Sequence, residues 1–286
     1  MPDTPTSPNL SALLRLPTRS SVSLNCASMN RLTGKRVLIT GASAGIGAAC
    51  AHYFAAQGAH LLLSARRLEK VQALATHLTE EHGIKAHAHA LDVTNRDAVN
   101  EYVFGLVAEE ILPDVLINNA GKAKGLDKLQ DGSLDHWDEM IDTNIKGLLY
   151  VTRAILPHMV ERDSGHVINI GSIAGHWVYP MGAVYNATKF AVRALSEAMN
   201  IDLLGTKIRV SSVDPGLAET EFSAVRFDGD TDRAEGVYSA TVPLKAADVA
   251  DAVVYVANAP EHVDIFNLVI MPTVQRYPGY MDRNTD

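Results

Sequence analysis

From Lys35 onward the chain alternates short apolar runs with longer segments of helical spacing, a rhythm that leaves few folds open to it. The runs are Val37–Thr40, His60–Ser64, Ala86–Leu91, Asp114–Asn118, His166–Gly171, Ile208–Val213 and Ile265–Met271. Between them, Ala48–Gln57, Leu68–His82, Ala98–Ile111, Leu134–Val160, Val184–Leu204 and Ala247–Ala257 carry apolar residues at helical intervals, with Pro157 marking a kink or a last turn in the fourth. Strands that are apolar throughout are buried on both faces, as in a parallel sheet covered by helices. Right-handed crossovers then give a doubly wound α/β fold, here a seven-stranded parallel sheet in a single domain. The rhythm sets the expected domain at residues 33–286.

Residues 1–32 differ in kind, being rich in Pro, Ser, Thr and Asn, with Arg15 and Arg19 among few acids. A disordered leader is expected there; an organellar transit peptide, or an extension upstream of an internal start at Met29, are the other readings. Leu10–Leu16 is broken by Ser11 and Arg15 and is too weak for a secretory signal core. No run approaches the roughly 18 apolar residues that span a bilayer. The formal net charge of −8 leaves no basic excess for nucleic acid or an anionic membrane. Two cysteines, Cys26 and Cys50, make neither a disulfide framework nor a metal-ligand spacing, which suits a reduced, cytoplasmic setting. His82, His87 and His89 lack Cys or carboxylate company, so no metal is expected.

The first strand runs into Gly41-Ala-Ser-Ala-Gly45-Ile-Gly47 and then into the first helix. Gly41 permits the turn, Gly45 lets the backbone approach a pyrophosphate, and Gly47 allows tight helix–strand contact, with the helix N-terminus facing the phosphates. Gly41, Ser43, Gly45, Ile46 and Gly47 are therefore candidate dinucleotide contacts. After the second strand, Leu63-Ser64-Ala65-Arg66-Arg67 carries no acid for an adenosine ribose hydroxyl. Guanidinium groups pair with a 2′-phosphate instead, so NADP is expected over NAD, with Arg66 the first choice and Arg67 assisting. Two solvated arginines at a helix start are the plainer reading, but one that opposes the helix dipole. Asp92 and Val93 follow the third strand where an adenine edge would lie; Asp92 could equally be an N-cap.

Tyr185 and Lys189 stand four apart at the start of a predicted helix, with Cβ atoms roughly 5–6 Å apart. A free phenol titrates near about 10, and a neighbouring ammonium is expected to lower that toward acid–base use at neutral pH. Ser172, just past the fifth strand, can hydrogen-bond a substrate oxygen opposite the phenol. A Tyr-x-x-x-Lys pair by itself is commonly structural; its place downstream of the glycine loop and the strand-end serine points to chemistry.

Taken together, Thr40-Gly41-x-x-x-Gly45-x-Gly47, Asn118-Asn119-Ala120-Gly121, Asn144, Ser172, Tyr185-x-x-x-Lys189 and Pro215-Gly216 resemble the short-chain dehydrogenase/reductase family over about residues 33–275. The resemblance implies Tyr185 as general acid/base, Ser172 as polariser, and Lys189 as phenol tuner and nicotinamide-ribose ligand. It also implies that Asn144 holds a water linking Lys189 to solvent, that Asn119 supports the cofactor, and that Pro215, Gly216 and Thr220 cover the nicotinamide carboxamide. Ordinary turn or core hydrogen bonding is the other reading of Asn119 and Asn144.

Within the family, Ile141–Gly147, Asp214–Phe227 and Met271–Gln275 resemble NADP-dependent dehydrogenases of short 3-hydroxy acids such as serine, L-allo-threonine or 3-hydroxypropionate. The expected reaction moves a hydride between NADP(H) and the C3 hydroxyl or oxo group. A carbonyl reductase for bulkier ketones or β-keto esters is the runner-up, followed by a non-catalytic NADP-binding sensor. A carboxylate substrate needs a cation, for which Arg226 is the first candidate and Lys122 the second. Residues 217–245, centred on Phe222–Tyr238 with Gly229 and Gly236, are expected to form a substrate lid. The family implies pairing of the two long helices between subunits, hence a homotetramer.

Overall fold

The computed structural model describes residues 30–283. Seven parallel strands form the central sheet: β1 Arg36–Thr40, β2 His60–Ala65, β3 Ala86–Ala90, β4 Val115–Asn118, β5 Gly165–Ile170, β6 Ile208–Pro215 and, after two short strands, β9 Asn267–Ile270. Their order is β3-β2-β1-β4-β5-β6-β9, so the chain reverses its winding between β1 and β4. That reversal opens a crevice at the strands' C-terminal ends, where ligands of doubly wound sheets bind.

Alternation along the strands divides the core. Val37, Ile39, Leu61, Leu63 and Ile117 face helices α1 (Gly45–Ala56), α2 (Leu68–His82) and α9 (Ala246–Ala257). Leu38, Leu62, Leu116 and Val167 face the opposite side, covered by α3 (Arg96–Ala108), α5 (Leu148–Glu161) and the end of α6 (Ala183–Asp202). In α1 the buried residues Gly47, Cys50, Ala51, Phe54 and Ala55 recur at helical intervals along one stripe. Burial pushes the Cys50 thiol up to about 12, as suits a small apolar side chain rather than a reactive one. Helix ends follow local chemistry: Asn95 accepts from the Asp97 and Ala98 amides to start α3, and Gly83 ends α2 in the left-handed conformation.

Several expectations change. The helix expected over Leu134–Val160 is three segments: α4 (Leu134–Ile141), a π-helical stretch (Asp142–Gly147) and α5, with Pro157 inside α5. Widened turns of this kind occur mostly at functional sites, and this one holds Asn144. Residues 30–32, assigned to the leader, belong to the domain: Leu32 is buried, and the Arg31 amide donates to Asn258 Oδ1 at 2.8 Å. The remainder of the leader, with Cys26, lies outside the described residues. The expected lid is partly regular, with strands β7 (Ala218–Glu219) and β8 (Leu244–Lys245) pairing around helices α7 (Phe222–Arg226) and α8 (Thr231–Tyr238). A small hairpin of β10 (Gln275–Tyr277) and β11 (Tyr280–Met281) follows the sheet. His87 and His89 are exposed on the edge strand β3, where His89 stacks on Tyr102.

A polar chain crosses the core between β4, β5 and α6. Asn118 Nδ2 donates to Thr152 Oγ1 and Asn169 Oδ1, both at 2.9 Å, and Asn169 Nδ2 donates to Ser196 Oγ at 2.8 Å. Asn118→Ala leaves two buried acceptors without a donor, and should lower unfolding free energy in urea by about 1–3 kcal/mol; an unchanged midpoint and slope would show the chain to be dispensable.

Candidate active site

A cavity of about 1420 Å³ lies over the C-terminal strand ends, running from the glycine turn past Arg66 at one end to Tyr185 and Arg226 at the other. Gly41 and Gly45 have φ of +68° and +55°, the left-handed region that favours glycine. At Gly47 the constraint is space, since a Cβ would lie 2.4 Å from Asn119 Nδ2 and 2.5 Å from Gly41 O. Asn119 is the clasp of this turn, its Nδ2 donating to Thr40 O and Gly41 O at 2.9 and 3.2 Å. Thr40 Oγ1 in turn accepts from the Asn119 and Ala120 amides. The α1 N-terminus opens onto the cavity with no side-chain cap and no acid in its first turn. Uncapped amides at a helix start bind anions, so turn and helix fit a dinucleotide's phosphates.

Arg66 and Arg67 both line the cavity but differ in company. Arg67 Nε donates to Ser43 Oγ at 3.1 Å, and its NH2 pairs with Glu221 Oε2 at 3.0 Å, tying the glycine turn to the segment before α7. Arg66 is exposed and makes no such ion pair among the described residues. Asp92 is not an N-cap: its Oδ1 accepts from the Thr94 amide and hydroxyl in a local turn, and Asn95 caps α3. Val93 is buried against Gly147, and both Asp92 and Val93 reach the cavity wall.

The expected reacting residues meet at the far end. Tyr185 and Lys189 are buried on one face of α6, with Lys189 Nζ 5.9 Å from the phenol ring centroid. Lys189 Nζ donates to Ile170 O at 2.8 Å, and burial lowers its ammonium to about 8 against the opposing pull of Asp214. Contrary to the expectation from Lys189, the Tyr185 phenol is pushed above its ordinary range. Its burial disfavours the phenolate, the neighbouring Tyr179 adds to this, and Arg226 and a hydrogen bond with Ser172 pull the other way. Ser172 opens a 3-10 turn (Ile173–Gly175), its Oγ accepting from the Ala174 amide at 3.1 Å. The Asn144 side chain is anchored on both sides, Oδ1 accepting from Lys122 N and Nδ2 donating to Lys122 O and Thr188 Oγ1.

Arg226, at the end of α7, turns its guanidinium over the Tyr185 ring at 5.2 Å and donates from NH2 to Tyr179 Oη at 2.9 Å. Its Nε is buried without a hydrogen-bond partner. Lys122 also reaches the cavity, with its Nζ 2.8 Å from Glu139 Oε2, whereas Arg226 has no carboxylate partner among the described residues. Pro215, Gly216 and Thr220 also line the cavity, Pro215 with its carbonyl 3.5 Å from Ser172 Oγ and Thr220 beside Gly45. Sequence reasoning gave no role to Tyr179 or Thr188, nor to Thr40, Asp214 and Gln275, although these three stand in stretches it singled out. Gln275 Oε1 accepts from the Leu217 amide at 2.8 Å and would sit 2.5 Å from a Cβ at Gly216. Thr40 and Asp214 carried the clearer signal, each abutting a glycine motif. Among the described residues, the one group of three metal-type donors, His52, His77 and Glu81, is exposed on α1 and α2, outside the cavity.

Residues 35–230 match the family described as short chain dehydrogenase. The NADP-dependent 3-hydroxy acid dehydrogenase of Escherichia coli (strain K12) is 47% identical over 244 residues, covering 85% of this chain and 97% of that protein. Sulfoacetaldehyde reductase 2 of Chromohalobacter salexigens is 42% identical over 87% of this chain and 98% of its own. Among solved structures, the closed form of serine dehydrogenase complexed with NADP+ superposes with a TM-score of 0.80 at 47% identity, covering 85% of this chain and 96% of that one.

Proposed function

The chain belongs to the short-chain dehydrogenase family and is an NADP-dependent oxidoreductase of CH–OH groups; we propose that its substrate is a short 3-hydroxy acid, oxidised or formed at C3. The observation that carries the substrate class is Arg226, a half-buried guanidinium over the Tyr185 ring with its Nε unpartnered. A 3-hydroxy acid and sulfoacetaldehyde, on which the named relatives act, both bear an anion close to the reacting carbon. A bulky uncharged ketone needs no such cation, and a non-catalytic sensor needs no assembled Tyr185, Ser172, Lys189 and Asn144.

When bound, NADP supplies or accepts the hydride and, oxidised, adds a positive charge beside the phenol. The chain's residues handle the proton. In carbonyl reduction the Tyr185 hydroxyl donates to the substrate oxygen while the Ser172 hydroxyl hydrogen-bonds the same atom; oxidation runs the transfer backward. Burial keeps the phenol protonated until positive charge draws it down; Arg226 supplies such charge, and the Lys189 ammonium, 5.9 Å from the ring, would add to it. Asn144 fixes the wall behind Lys189 and holds the water that links it to solvent. The glycine turn, Asn119, Asp92, Val93, Pro215, Gly216 and Thr220, all lining the cavity or bracing its turn, would hold the dinucleotide.

Residues 217–245 act as the lid of the single domain that residues 30–283 form, consistent with the closed form of the serine dehydrogenase relative. A homotetramer and a cytoplasmic location complete the reading. Leu134, Leu149, Phe190 and Ile201 leave apolar surface on α4, α5 and α6, which suits subunit pairing. Among the described residues no helix is long and apolar enough to cross a membrane.

Tyr185→Phe should still bind NADPH yet lose about 10²–10⁴-fold in turnover; full turnover would overturn the mechanism. Arg226→Ala should raise KM about tenfold to a hundredfold for 3-hydroxypropionate and serine, and far less for uncharged alcohols. An equal effect on both substrate types sinks the acid assignment. For the cofactor, Arg66→Ala should weaken NADPH about tenfold or more while leaving NADH affinity nearly unchanged; parallel losses would remove Arg66 from the 2′-phosphate. Light scattering should give four chain masses, and a monomer would refute the tetramer.

A further inference from the structure

Behind the reacting residues lies a buried carboxylate with no part in the scheme above. Asp214, near the end of β6, accepts at Oδ1 from Ser212 Oγ at 2.5 Å and at Oδ2 from Asn267 Nδ2 at 2.5 Å. His176 Nε2 also lies 2.5 Å from Oδ2. The other ring nitrogen, Nδ1, faces Arg193 NH1 at 3.3 Å. A guanidinium only donates, so Nδ1 accepts in that contact and the ring donates from Nε2 to Asp214. His176 follows the 3-10 turn that Ser172 opens, its amide closing that turn on Ile173 O.

Asp214 also fills the space beside Gly171, where a Cβ would lie 1.8 Å from its Oδ1. The next peptide oxygen back along β5, Ile170 O, is the one that accepts from Lys189 Nζ. Carboxylate and ammonium thus flank one stretch of backbone, Ile170–Gly171, next to the reacting serine. Around Lys189 stand Tyr185 on its own helix and Asn144 of the π-helical stretch, both uncharged, and Asp214 from the sheet. Around Asp214 stand His176, itself facing Arg193, with Ser212 and Asn267.

We propose that Asp214 is a positioning residue of the active site: through His176 it fixes the turn carrying Ser172, and its charge stands behind Ile170–Gly171 to hold Lys189 as an ammonium. The inference rests on the roles assigned above to Ser172 and Lys189. Its sign is definite. Burial alone favours neutral lysine and Asp214 favours the charged form, so removing the carboxylate makes Lys189 lose its proton at lower pH. His176 is not among the groups acting on the Lys189 charge, so its removal disturbs the turn and leaves the carboxylate behind Lys189 in place.

The test is the pH profile of kcat/KM for NADPH-driven carbonyl reduction by the full chain and two variants, with folding checked by circular dichroism and NADPH affinity by fluorescence. Asp214→Asn should move the basic limb about one pH unit lower. His176→Ala should cut kcat about tenfold with the limb and NADPH affinity unchanged. An unmoved limb in folded Asp214→Asn, or wild-type kcat in His176→Ala, overturns the proposal. If Asp214→Asn does not fold, His176→Ala decides. The profile can be read on any ketone the protein reduces, so failure on 3-oxo acids would sink the substrate reading and leave this test standing.

Discussion

The crevice depends on one knot of hydrogen bonds where the winding of the sheet reverses. Thr40 ends β1, and its hydroxyl accepts from the backbone amides of Asn119 and Ala120 just past β4. Asn119 returns the tie through its side chain to Thr40 O and Gly41 O. These bonds hold together the two strand ends that diverge toward opposite sides of the sheet. They also set the glycine turn at the height where α1 presents its free amides. The knot closes only because Gly47 has no side chain, as the place of its Cβ is taken by the Asn119 amide and the Gly41 carbonyl. A small polar residue, an amide and a missing methyl together define where an anion sits.

The other end of the cavity obeys a different rule, in which desolvation and charge oppose each other. Tyr185 and Lys189 are both buried, and burial drives each toward its neutral form, the phenol upward and the ammonium downward. Arg226 reaches in from α7 and Asp214 from β6, and their charges act against that drift. Proton transfer needs groups whose two ionisation states lie close in energy, and a dry site with a few fixed charges can provide that where water cannot. Closure of α7 and α8 over the cavity would tighten this balance, since Arg226 rides on the moving segment in the proposed lid.

Much of this was legible from residues 35 onward because its signals are local. Strands apolar on both faces, helices ended by glycine and the Gly41–Gly47 spacing report a physical requirement within a few residues; α2 falls on the expected Leu68–His82 for that reason. Arg66, Tyr185, Lys189, Ser172 and Arg226 likewise all reach the expected cavity. What stayed hidden depends on distant partners. Asp142–Gly147 sits between two stretches of helical spacing, and its π conformation accompanies the anchoring of Asn144 to Lys122 and Thr188, set by packing against α6. The direction of the Tyr185 shift depends on burial, which spacing from Lys189 does not reveal. Tyr179 became visible only as the partner of Arg226, and the pairing of Lys122 with Glu139 only in three dimensions.

The latch made by Gln275 has a consequence for the order in which the molecule can be completed. The loop of Pro215–Leu217 is held from outside the sheet's own sequence, by a side chain that packs on Gly216 and accepts from the Leu217 amide. Farther along, Arg283 donates to Ser239 O beside α8. During synthesis the glycine turn and the tyrosine helix leave the ribosome long before either anchor exists. The Pro215–Leu217 loop and the segment beside α8 therefore lack these two ties until residues 275 and 283 have emerged.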